Sequence, residues 1–318
     1  MTVDAAAAGS RRGRPRVLMV ADVPGWAHDH KSRALAHVLA PAFDIVIRHD
    51  FAVTPDDIAA ADLVLVYYWQ QLKYQPAVAD ACRRRRKTVM VGVCSHYELA
   101  PDQRDEGLRL IRECAGRLFA NSRLLEREFA PIADLPVHYT PNGVDTGRFT
   151  PGSEGEPPPP LRAGWTGNRH IPDAEHRGVD SVLEPAVRGL EGVTLVIADK
   201  KAAVRQHADM PAFYRGLHVY VCASRSEGTP NPCLEAAACG LPLVTTRVGN
   251  MPEFVVDGVN GWLVDRSPEA FAAALVRLRD DEALRRRMGQ AARETSLAWD
   301  WRVQAPAYAA MFAEALAS

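Results

Sequence analysis

Residues 224–246 read SRSEGTPNPCLEAAACGLPLVTT, and the rest of the chain is organised around them. The residues leading in, HVYVCAS over 218–224, are apolar and β-branched, the pattern of a parallel strand buried on both faces. SEGTPNP then breaks the strand. Asn231 suits an N-cap and Pro232 the first helical position, where a missing N–H has no intrahelical partner. CLEAAAC reads as a short helix, Gly240 as its C′ residue, and LPLVTT over 241–246 as the next strand. A strand, loop and helix start in this order gathers backbone donors and the positive helix end, which suits a phosphate or pyrophosphate.

Glu227 in the loop and Glu235 one turn into the helix stand with seven residues between them. Both can face the crevice at the strand's carboxyl end, where open α/β sheets bind ligands. Two ordinary solvated glutamates would be the plain alternative. The spacing resembles the E-x7-E motif of retaining family 4 glycosyltransferases with the GT-B fold. The likeness continues into GNMPEFVVDGVNGWLV over 249–264, which is similar to that family's G-x-P-E-x-V and N-G-x-L-V segments, and it includes NGVD at 142–145. It runs well through residues 140–316 and only loosely through the first half.

The resemblance implies a fold and a set of roles. The fold is α/β: two Rossmann-like, doubly wound domains facing each other across a cleft. The donor is a nucleoside diphosphate sugar, and the acceptor is a small molecule or glycan. Glu235 is expected to hydrogen-bond the ribose and Glu227 to lie near the donor sugar. His96, after the fourth predicted strand, is expected beside that sugar as a second catalytic residue. Arg177 in HRG takes the place of the family's phosphate-clamping lysine, keeping the charge with a forked geometry. Asn168 or Arg169 stands nearest the other phosphate position. Gly228, Thr229, Asn231 and Gly25 complete the expected donor contacts, although the first loop has only Gly25, followed by Trp26, where relatives have a glycine-rich turn. No metal or other cofactor is expected, because there is no D-x-D motif and an arginine with helix-end donors can hold a diphosphate. A GT-B nucleotide-sugar epimerase and an inactive sugar-nucleotide-binding module are the alternatives.

The remaining sequence fits this frame. A chain of 318 residues is long for one core and natural for two domains. Alternating strand and helix patterns from RVLMVAD (16–22) onward predict a doubly wound parallel sheet. The expected divisions are a disordered tail over 1–15, an acceptor-side domain over 16–150, and a proline-rich linker over 151–160. A donor domain over 161–300 follows, then a last helix over 301–318 that crosses back to the first domain, with a kink or restart at Pro306.

With 38 basic and 39 acidic residues, the net charge of −1 shows no nucleic-acid footprint. Six scattered cysteines without a C-x-x-C pair read as core residues in a reducing cytoplasm. The start of the chain lacks the apolar segment of a signal peptide. The basic run 83–87 reads as a solvated helix end. Peripheral membrane contact ranks second, since no broad apolar helix face accompanies it. Trp26, Tyr67, Tyr68, Trp69 and Tyr97, at strand ends or in loops, are candidates for an acceptor wall.

Overall fold

The computed structural model describes residues 13–95, 100–153, 157, 159–169, 175–199 and 206–317. Six strands form the first sheet: β1 (Arg16–Ala21), β2 (Asp44–His49), β3 (Leu63–Val66), β4 (Val89–Val93), β5 (Arg117–Ala120) and β6 (Val137–Tyr139). Five form the second: β7 (Leu161–Gly167), β8 (Val193–Asp199), β9 (Val219–Cys222), β10 (Leu243–Thr245) and β11 (Gly261–Leu263). Their orders are β2-β1-β3-β4-β5-β6 and β11-β10-β9-β7-β8. Every pairing is parallel, so each strand needs a crossover and helices cover both faces.

Alternate residues of β1 serve different cores. Leu18 and Val20 pack under the helices Pro55–Ala60, Pro76–Arg84, Arg104–Cys114 and Arg123–Phe129. Val17 and Met19 face the helix Ala27–Leu39 and the last helix, Trp301–Leu316, whose Tyr308, Met311 and Phe312 are fully buried there. The chain therefore returns to complete the first domain's second layer. Pro306 neither breaks nor restarts this helix. Proline removes one helix hydrogen bond and costs roughly 3 kcal/mol in a helix interior, and the burial of three large side chains beyond it offsets that.

In the second domain, Tyr220 and Cys222 of β9 pack towards Met210–Arg215 and Asn231–Ala238, and Val219 and Val221 towards Pro268–Asp280. All six cysteines are buried, and none forms a disulfide. Among the described residues, no helix is long and apolar enough to cross a membrane.

The two passages between domains run side by side. Val144 and Asp300 form a parallel bridge, with Val144 N–H donating to Trp299 O and Trp301 N–H to Val144 O. A Cβ on Gly143 would lie 2.8 Å from the Trp301 Cα, so the NGVD glycine is required by the returning strand of chain. Val144 and Phe149 already belong to the second domain's core. Arg293 ties this crossing down by donating to Thr146 O, Phe149 O and Ala238 O, the last at a helix C-terminus that favours a cation.

Across the cleft, Glu253 of the MPEF segment accepts from the Arg123 N–H at 2.7 Å and the Tyr139 hydroxyl at 2.6 Å. Burial first, then the Glu253 carboxylate, raises the Tyr139 phenol far above its ordinary range, so it stays a donor. We expect Glu253→Ala to loosen this contact by about 1.5–3 kcal/mol, the size of a charge-assisted hydrogen bond. Small-angle scattering of the free protein should show expansion. An identical profile would mean that the remaining contacts between the domains set their arrangement without Glu253.

Candidate functional site

In each sheet the strand order reverses beside the first strand, between β1 and β3 and between β7 and β9. Ligand crevices of open α/β sheets lie at such points, outside the carboxyl ends of the strands. The two crevices meet in one cleft of about 750 Å³. Its first-domain wall includes Gly25, Trp26 and His30, and its second-domain wall includes Asn168, Arg177, Glu227, Thr229, Asn231 and Glu235.

Glu227 follows β9 at the mouth of this cleft. Its Oε1 accepts from the Ser224 hydroxyl at 2.8 Å and from Arg177 Nη1. Arg177 arrives there because Gly178, at φ +67°, turns the chain against the end of β9. A Cβ at Gly178 would meet Ala223 O at 2.5 Å. Arg266 fixes the turn by donating to Ala223 O at 2.8 Å and pairing with Glu175 at 2.7 Å. Burial lowers the Arg177 guanidinium from its ordinary value. An arginine in such a place needs an anion, and Glu227 supplies one.

Glu235 is equally engaged. Its Oε2 accepts from Tyr214 at 2.7 Å, and its Oε1 lies 3.1 Å from His207 Nε2. The side chains of Glu227 and Glu235 are only 15% and 16% exposed, which rules out a pair of idle solvated glutamates. His207 stacks on His30 of the opposite domain, with ring centroids 3.9 Å apart and an interplanar angle of 23°.

The helix carrying Glu235 runs Asn231–Ala238, so Pro230 rather than Asn231 holds the N-cap position. The Asn231 side chain accepts instead from Asn142 Nδ2 at 2.9 Å, joining the helix start to the NGVD segment. Gly240, at φ +84°, ends the helix. On the other wall, Asp29 closes the Gly25 loop onto the helix Ala27–Leu39. It accepts from the Gly25 N–H, Arg33 and His49, each at 2.9 Å. Burial would raise its carboxyl, but these partners hold it down at about 2.

Several sequence expectations need correcting. Gly228 does not line the cleft. It packs against the first domain, where a Cβ would lie 1.6 Å from Cys94 O and 2.5 Å from Asn121 Oδ1. Arg169 turns away to Asp180 and Glu184, leaving Asn168 at the wall. Tyr67 and Trp69 are fully buried and form no acceptor wall, whereas Trp26 is 41% exposed at the cleft. His96 and Tyr97 lie outside the described residues. His30, His207, Tyr214 and Ser224 escaped the sequence reading, because their partners are set by packing between distant segments. Among the described residues, no group of three or more His, Cys, Asp or Glu is placed to hold a metal.

The chain matches the family described as glycosyl transferases group 1 over residues 202–295, the span that holds Glu227, Glu235 and Glu253. That match takes in just under a third of the chain. The chain is also similar to curated relatives. It is 35% identical over 115 residues to a D-inositol 3-phosphate glycosyltransferase of Corynebacterium glutamicum, covering 36% of this chain and 28% of the relative. The Streptomyces griseus protein of the same name is 40% identical over 105 residues, covering 33% and 22%. The matched stretch thus spans about a quarter of the length of these relatives.

Solved structures extend the likeness to the whole fold. The chain superposes on sucrose-phosphate synthase from Thermosynechococcus elongatus with a TM-score of 0.70 at 17% identity, covering 96% of this chain and 100% of that one. It superposes on Anabaena HepE in complex with UDP and glucose with a TM-score of 0.72 at 16% identity, covering 94% and 100%. The fold is GT-B, and the group 1 segment forms most of its second domain.

Proposed function

We propose that this chain is a retaining glycosyltransferase, moving a sugar from a nucleoside diphosphate sugar to the hydroxyl of a small molecule or glycan. The observation that carries the reading is the Arg177–Glu227 pair at the end of β9, facing the opposite domain. HepE, with UDP and glucose in its solved complex, supports a nucleotide-sugar donor by likeness of fold. Six buried cysteines outside any disulfide are in keeping with a cytoplasmic enzyme.

The roles follow from chemistry. Arg177 and the positive end of the helix Asn231–Ala238 bind the diphosphate and neutralise it without a metal. The incoming phosphate takes Arg177 from Glu227, whose carboxylate then faces the donor sugar. Glu235 exchanges His207 for the ribose hydroxyls. The anomeric C–O bond breaks as the diphosphate leaves, and the acceptor hydroxyl attacks the same face. Its proton passes to the departing phosphate oxygen. Positive charge developing at the anomeric carbon is stabilised by Glu227.

A panel of nucleoside diphosphate sugars tests the assignment. Slow release of the nucleoside diphosphate, undiminished by a chelator, is the expected result. A chemically altered sugar would mean an epimerase, and binding without turnover a binding module. We further expect Glu235→Ala to weaken the free nucleoside diphosphate by about 10- to 100-fold, since a hydrogen bond to a carboxylate contributes about 1.5–3 kcal/mol. Calorimetry reads this directly, and unchanged affinity would remove Glu235 from the donor site.

A further inference from the structure

Lys31 lies on the first-domain wall of the cleft and is only 3% exposed. Its Nζ makes no hydrogen bond among the described residues. The ammonium is instead held among three rings, 5.2 Å from the centroid of Tyr67, 5.6 Å from Phe119 and 5.1 Å from Tyr308. Ring faces attract a cation but do not replace the hydrogen bonds that water gave it. For folding alone, an apolar side chain of similar volume would serve better here.

The other cations of the cleft are differently placed. Arg33 pairs with Asp29, Arg177 with Glu227, and Arg302 with Asp300, while Arg148 is exposed to water beside Phe149. Lys31 is the buried one without a carboxylate among the described residues. It also sits in the second turn of the helix Ala27–Leu39, whose N-terminal residues Trp26 and Ala27 line the cleft, so the positive helix end acts in the same region. Arg177 and Glu235, the proposed donor contacts, stand on the opposite domain.

We propose that Lys31 binds an anionic group of the acceptor, a phosphate or a carboxylate, and so selects acceptors that carry one. This rests on the reading of the cleft as a sugar-transfer site. The four-carbon stem allows the ammonium to leave the rings for a stronger partner. The bound anion then supplies the charge-assisted hydrogen bonds that Lys31 lacks in the free protein.

The test is calorimetric titration of inorganic phosphate, and separately of acetate, into wild type and Lys31→Met, each with and without saturating UDP. UDP occupies Arg177, so anion binding in its presence reports the first-domain site. The expected result is that wild type binds one or both anions with UDP present and that Lys31→Met weakens this about 10- to 100-fold. UDP affinity should stay within about twofold. Lys31→Arg, which keeps the charge, should retain most of the binding. Lys31→Met should melt at or above the wild-type temperature, so that damaged folding cannot account for the loss. Preference for phosphate or for acetate assigns the acceptor's anionic group. Equal anion binding by wild type and Lys31→Met, or no anion binding by wild type beside UDP, overturns the proposal. An equal loss of UDP affinity also overturns it, by placing Lys31 on the donor. Failure of wild type to bind UDP overturns the donor-site reading for that nucleotide. The titrations without UDP still decide whether Lys31 holds an anion.

Discussion

Glu227→Gln lowers turnover by about 100-fold or more while leaving the affinity for free nucleoside diphosphate unchanged or a few-fold tighter. Two effects of opposite sign lead to this expectation. Glutamine keeps the shape of the side chain and can still accept from Ser224, whose hydroxyl lies 2.8 Å from Oε1. It removes the charge that stabilises the anomeric centre only in the transition state, and losses of single electrostatic groups of that kind are about 10²- to 10³-fold in rate. In the free protein, however, the same charge occupies Arg177. Removing it leaves the guanidinium without its carboxylate, and a diphosphate no longer competes with Glu227 for it. Steady-state kinetics and calorimetry with the free nucleotide separate the two effects. Undiminished turnover would exclude Glu227 from the chemistry. A parallel loss of turnover and nucleotide affinity would show that Glu227 acts by positioning Arg177.

Gly228→Ala is expected to reduce turnover by a similar factor, for a mechanical reason. The new Cβ would lie 1.6 Å from Cys94 O, a contact with backbone at the end of β4 that no rotamer change relieves. The loop is also held from its other side, because the Asn250 N–H donates to Gly228 O at 3.0 Å and Gly249 packs against the same carbonyl. Accommodating the methyl group therefore requires the loop and the first domain to separate. Glu227 and Thr229 flank the displaced residue, and misplacement of reacting groups by about 1 Å can lower a rate about 100-fold. Arg177 and Glu235 belong to the second domain, so nucleotide binding should fall by less than about 10-fold. Scattering should show a more open particle. Wild-type turnover in Gly228→Ala would mean that this domain contact is absent from the working enzyme.

The parts of the molecule that were legible in the sequence are those set by local physics. Strand and helix alternation, the covered parallel strands, the glycine stop at Gly240 and the Glu227–Glu235 spacing all depend on residues within a turn or two of each other. The likeness to a family likewise rested on short contiguous segments, and the group 1 match over residues 202–295 takes in those from Glu227 to Val264.

Contacts between distant segments were decided only by the tertiary structure. Gly228 read as a loop glycine near a ligand, but its lack of a side chain serves the packing of one domain on the other. Tyr67 and Trp69 read as possible wall residues, because a strand covered on both faces is apolar throughout and its pattern does not say where burial stops. The local rule for Pro306 predicted a kink or restart, but the helix runs on through it to bury Tyr308, Met311 and Phe312. The His30–His207 stack and the isolated Lys31 ammonium had no sequence signal at all. Each is defined by what lies across a cleft or beneath a helix, and those neighbours are brought together only when the chain crosses between its two domains at Val144 and returns at Asp300.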